Sequence, residues 1–130
     1  SRSRSRPFRG RVEGMKRGDL VTIATSGDYG KPGRALVVQS DAFEALPSIT
    51  VLPLTSEIDD APLIRITVQP TSNNGLRTVS QTMIDKATTV PRSRVGDVIG
   101  RVDANTLRAV DVALGRFFGV LEPGASSSLV

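Results

Sequence analysis

The sequence predicts a mainly β fold with one helix: a small twisted β-barrel capped by a C-terminal amphipathic helix. Three observations carry this. Short runs rich in β-branched residues recur between Gly- and Pro-containing turn signals. One of them, Leu63–Gln69, alternates strictly, with Leu63, Arg65, Thr67 and Gln69 on one face and Ile64, Ile66 and Val68 on the other. A helical apolar spacing appears once, near the end, at Leu107, Val110, Leu114 and Phe117. Short strands followed by one amphipathic helix leave a capped barrel as the simplest two-layer solution.

The elements follow in order. Lys16–Asp19 is a turn feeding a first strand, Leu20–Ala24. Gly27-Asp28-Tyr29-Gly30-Lys31-Pro32-Gly33-Arg34 is a loop with no room for a helix, and it runs straight into a second strand, Ala35–Gln39. Ser40 or Asp41 can cap a helical turn over Ala42–Leu46, ended by Pro47. Ile49–Thr55 is a third strand, and Pro53 within it implies a sheet edge or a bulge, because proline has no N–H for a ladder. An acidic loop, Ser56–Pro62, precedes the alternating strand. Pro70–Gly75 is a turn, and Thr78–Asp85 is a fifth strand. Val98–Val102 is strand-like, Asp103 is a good N-cap for a helix over Ala104–Phe118, and Gly119 ends it.

Length and charge set the bounds. The chain has 130 residues, enough for one core, and the folded unit is expected over 15–122. Residues 1–14 carry Arg2, Arg4, Arg6, Arg9 and Arg11 against Glu13, which accounts for the whole net charge of +4. That Arg/Ser-rich segment is expected to be disordered, as either a loose nucleic-acid contact or a leader or added extension, and 123–130 is expected to be a disordered tail. The remaining body is neutral, so any nucleic-acid contact must be a local patch. There is no cysteine and no histidine. Disulfides and thiolate zinc sites are excluded, along with the usual neutral-pH general base and the commonest metal ligand. No metal or cofactor is expected. No apolar run reaches a membrane span, and a soluble cytoplasmic protein fits.

The blocks MKRGDLV, GDYGKPGRALVVQSD, TVLPLTS and GLRTVSQTMIDKATTVPRSRVG, followed by a closing helix, together resemble the PemK/MazF toxins of bacterial toxin–antitoxin systems. The resemblance covers 15–121 in order. It implies an SH3-like barrel that forms a homodimer and acts as a metal-independent endoribonuclease on single-stranded mRNA. In that chemistry the ribose 2′-hydroxyl attacks, leaving a 2′,3′-cyclic phosphate and a 5′-hydroxyl. A cognate antitoxin neutralises the enzyme, and operator DNA is bound only through the antitoxin complex. Two other readings stay open: a gyrase-binding toxin of the CcdB type acting through its final helix, and an altered member that acts by binding only.

The resemblance also nominates residues. Arg34 stands within one residue of the family's loop-end arginine, where a guanidinium can grip the scissile phosphate bidentately. Gly33-Arg34 replaces the usual Arg-Pro, so the face that Arg34 takes matters. Lys31 can compensate. Thr55 and Ser56 match a strand-end hydroxyl pair suited to a phosphate. Asp85 matches an acidic position, as general base or as holder of a nearby cation. Where some relatives carry an arginine this chain has Met83, and Lys86 can supply the charge. Gln81, on the Asp85 face of the expected strand, can read a base edge. Asp28 and Tyr29 sit on the loop, where a lone aromatic can stack on an unpaired base. Catalysis is thus assigned to Arg34, Thr55 and Asp85, and RNA binding to Asp28, Tyr29, Lys31, Ser56, Gln81 and Lys86.

Overall fold

The computed structural model describes residues 15–24 and 33–121. The expectations for 1–14, for 122–130 and for most of the glycine-rich loop lie outside the described residues. Seven antiparallel strands form one sheet: β1 (Asp19–Ile23), β2 (Gly33–Val37), β3 (Ser48–Thr55), β4 (Arg65–Val68), β5 (Ser80–Met83), β6 (Thr88–Pro91) and β7 (Val95–Arg101), followed by the helix α1 (Ala104–Phe117). The order is β4-β5-β3-β2-β1-β7, with β6 added on β3.

The sheet is buried on both faces, so its strands are apolar at odd and even positions alike. Val21, Ile23, Ala35, Val37, Ile49, Val51 and Val95 form one cluster, inside the curl made by β1, β2, β3, β6 and β7. Leu20, Leu36, Leu52 and Leu54 turn the other way and meet Val68, Leu76, Ile84 and the helix residues Val110 and Ala113. Alternation along β4 follows the expectation, since Ile64, Ile66 and Val68 pack on this second cluster. The helix is capped as its sequence requires: the Asp103 carboxylate accepts from Thr106 N–H at 2.7 Å, and Gly119 ends it with φ +80°. Arg17 fastens the helix to the sheet, pairing with Asp111 while its Nε donates to the Val38 carbonyl at 2.8 Å.

Three expectations are corrected. Pro53 does not mark an edge: β3 is interior, pairing with β2, β6 and β5. Its proline is tolerated because it falls between the stretch paired with β6 (Ser48–Val51) and the stretch paired with β5 (Leu54–Thr55), where that ladder changes partner. The fifth strand stops at Met83, and Ile84–Lys86 is a turn of 3-10 helix, because buried Ile84 swings inward to the second cluster. The helical turn after the second strand is only Asp41–Phe43, capped by Ser40. A strand not foreseen, β6, lies in Thr88–Pro91.

The barrel is not closed by a ladder, since β4 and β7 end the path. Backbone contact spans the gap instead. The turn after β4 folds round buried Asn74, whose Oδ1 accepts from Thr71 N–H and Leu76 N–H, both at 3.0 Å. The same turn offers its Asn73 carbonyl to Arg101 N–H at 2.9 Å. Chains this close leave no room for side chains. A Cβ on Gly75, which has φ +71°, would stand 2.2 Å from the Ile99 carbonyl, and one on Gly100 would stand 2.4 Å from the Asn74 carbonyl carbon. No described helix is long and apolar enough to cross a membrane.

Gly75→Ala is therefore expected to cost about 2 kcal/mol or more of unfolding free energy, because strained φ and backbone overlap combine. Gly33→Ala, whose added Cβ meets, among the described residues, only the Ile23 carbonyl at 4.0 Å, is expected to change stability by less than about 0.5 kcal/mol. Urea unfolding of both variants measures the difference.

Candidate active site

Three strand ends that are far apart in sequence form one rim: the start of β2 at Gly33-Arg34, the end of β3 at Thr55, and the start of β5 at Ser80-Gln81. The ladders set this. Ala35 is opposite Pro53, and Thr55 is opposite Gln81. The loop bearing Asp28, Tyr29 and Lys31 leads into this rim in sequence, and those three residues lie outside the described ones.

Arg34 is half-buried, and its Nη1 donates to Ser80 Oγ at 3.1 Å. Alternation puts it on the face of Leu36 and Leu54, the face that carries the helix. No other partner of its guanidinium occurs among the described residues. Its other four N–H donors thus have no partner among the described residues. A guanidinium anchored by one nitrogen and open on its other edge suits a phosphate.

Thr55 sits at the same rim but alternates to the other face, that of Pro53 and Val51. Its Oγ1 accepts from Glu57 N–H at 3.1 Å, which starts the acidic loop and leaves the hydroxyl proton to be donated outward. Ser56 is exposed beside it. Gln81 is 3 % exposed, and its amide is already engaged. Oε1 accepts from Asp59 N–H and Nε2 donates to the Asp59 carbonyl, both at 3.0 Å, and Nε2 also reaches Thr67 Oγ1 at 3.1 Å. Gln81 therefore brackets the acidic loop.

Asp85 is elsewhere. It lies beyond the far end of β5, separated from Ser80 by on the order of 10 Å of strand. Its carboxylate accepts from Arg65 Nη1 at 2.6 Å. That bond is the main reason its pKa lies below the usual carboxylate range; it outweighs the desolvation that opposes it, with weaker help from a backbone N–H and from the charges of Arg65 and Lys86. Lys86 is exposed.

Sequence reasoning missed two neighbours of Arg34. Ser80 carries no motif, and only the β3–β5 register brings it near. Arg94 follows β6, an unforeseen strand. It lines a shallow cavity of about 250 Å³ together with Gly33, Arg34, Pro53, Thr88 and Val90. Phe117 and Phe118 are exposed at the end of α1, edge to face with ring centres 5.4 Å apart.

This arrangement of strands and rim has relatives. A family model described as PemK-like, MazF-like toxin of type II toxin–antitoxin system matches residues 16–118. The chain belongs to that family. A protein of Mycolicibacterium smegmatis named probable endoribonuclease MazF is 48 % identical over 107 residues, which is 82 % of this chain and 98 % of the relative. Among solved structures, the Mycobacterium tuberculosis toxin MazF-mt6 superimposes with a TM-score of 0.66 at 22 % identity, covering 78 % of this chain and 96 % of the other. A MazE–MazF complex from Deinococcus radiodurans matches with a TM-score of 0.66 at 24 % identity over 81 % of this chain and 95 % of that one. These structural likenesses show the fold.

The Arg65–Asp85 pair predicts a pH effect. The folded-state pKa of Asp85 is depressed, so its stabilising contribution is full above the ordinary carboxylate value and is lost as pH falls below about 4, through the folded pKa. Asp85→Asn is expected to flatten this part of the acid limb of a stability–pH curve. An unchanged acid limb in the variant would show that the pair contributes nothing.

Proposed function

We propose that this toxin is an endoribonuclease that cuts single-stranded mRNA at short sequences without a metal ion. The carrying observation is Arg34, held through one nitrogen at a strand-end rim with its remaining donors uncommitted among the described residues. Family membership and the name of the M. smegmatis relative agree with it.

In this reading Arg34 grips the non-bridging oxygens of the scissile phosphodiester, and the Thr55 hydroxyl, at the same rim on the other face of the sheet, donates to the RNA backbone. The ribose 2′-oxygen attacks phosphorus as its proton passes to solvent water, the P–O5′ bond breaks, and the departing 5′-oxygen takes up a proton from water. The products are a 2′,3′-cyclic phosphate and a 5′-hydroxyl. Guanidinium charge fixed before the reaction stabilises the pentavalent dianion, which is where such a site gains most of its rate. Asp85 enters through its second expected role, holding the Arg65 cation. Metal independence belongs to the same reading, in a chain that has no histidine or cysteine.

The same reading includes a homodimer, an antitoxin that blocks the rim, and operator binding only through the toxin–antitoxin complex. A gyrase-binding toxin is the second reading, and exposed Phe117 and Phe118 at the helix end are the observation favouring it.

Purified protein with EDTA and a mixed-sequence RNA is expected to give discrete fragments with 5′-hydroxyl ends. A single 2′-deoxy substitution at the cut should stop cleavage there. Arg34→Ala is expected to lower cleavage by about a thousandfold, the scale of losing one preorganised oxyanion donor, while keeping the urea midpoint. Intact RNA together with gyrase inhibition would move the assignment to the second reading.

A further inference from the structure

An arginine at a rim has many rotamers, and ordering it costs free energy unless a neighbour fixes its direction beforehand. Ser80 is that neighbour here. It is fully buried, 0 % exposed, on β5 beside equally buried Thr82. Its Oγ receives Arg34 Nη1 at 3.1 Å and donates its own proton to the Thr78 carbonyl at 3.2 Å. A hydroxyl has one proton and two lone pairs. With the proton committed to Thr78, only lone pairs face Arg34, so the polarity of the contact is set. The three groups run guanidinium to hydroxyl to carbonyl, and each bond in such a chain strengthens the next.

We propose that Ser80 is a positioning residue for Arg34, and that it presets the guanidinium so that its open edge meets the scissile phosphate without reorganisation. This rests on the assignment of Arg34 to the phosphate.

The test is the single-turnover rate on RNA, alongside affinity for the same RNA bearing a 2′-deoxy at the cut. Ser80→Ala is expected to slow single-turnover cleavage about tenfold, the size of one hydrogen bond to a charged group, and to change that affinity less than about threefold. Ser80→Cys keeps the volume but gives up the strong acceptor, and it is expected to behave like Ser80→Ala. Ser80→Thr keeps the hydroxyl and is expected to recover most of the rate. In an Arg34→Lys background, which lacks the fork, Ser80→Ala should cost no more than about twofold. A tenfold loss in that background would mean that the serine acts on the fold and not through Arg34, and overturns the proposal. So does a Ser80→Ala or Ser80→Cys protein that cuts as fast as the wild type. A wild-type protein that leaves RNA intact removes the nuclease reading itself, and the Ser80 role with it.

Discussion

A single eight-residue strand, β3, is the member on which the other elements depend. It is hydrogen-bonded to three strands and buried on both faces, sending Ile49 and Val51 into one cluster and Leu52 and Leu54 into the other. Shifting its register by one residue would exchange the two sets and place polar Thr50 and Thr55 in the apolar interiors. Pro53 is permitted only because it coincides with the change of partner from β6 to β5. That change is what turns β4 and β5 away from the curl and brings the start of β5 to the rim.

The rim is therefore a by-product of how β3 is shared. Arg34 and Thr55 approach it on opposite faces of the sheet, and Ser80 and Gln81 divide the same way: Ser80 holds the arginine, and Gln81 holds the acidic loop that follows Thr55. Adjacent residues of one short strand thus steady the two walls of the proposed site. Asp85 has the opposite relation to it. Its ion pair with Arg65 braces the far end of β5, so a carboxylate that resembles a family position serves the frame that carries the site.

Much of the fold is legible in the residues. β1 and β3 announce themselves by β-branched runs, β4 by alternation, and α1 by its apolar spacing between Asp103 and Gly119. What was not legible has physical causes. β6 is four largely exposed residues ending in proline, with no alternation to read, and it is a strand only because β3 offers it an edge. The early end of β5 follows from Ile84 finding a core that only the tertiary fold provides. At the site, motif position can nominate Arg34 and Thr55. No local pattern reports that Arg34 meets a serine 46 residues away, or that the amide of Gln81 is spent on Asp59. Those facts belong to register, which two strands set jointly.

The distance in sequence between Arg34 and Ser80 has a consequence for synthesis of the protein. Loop closure over so long an interval comes late and cooperatively in the folding of a sheet protein, after its pairings exist to support it. A chain still emerging from the ribosome, with β5 not yet released, has the arginine but nothing to aim it. On the proposed reading the preset form of the site therefore arises only once the whole sheet is assembled.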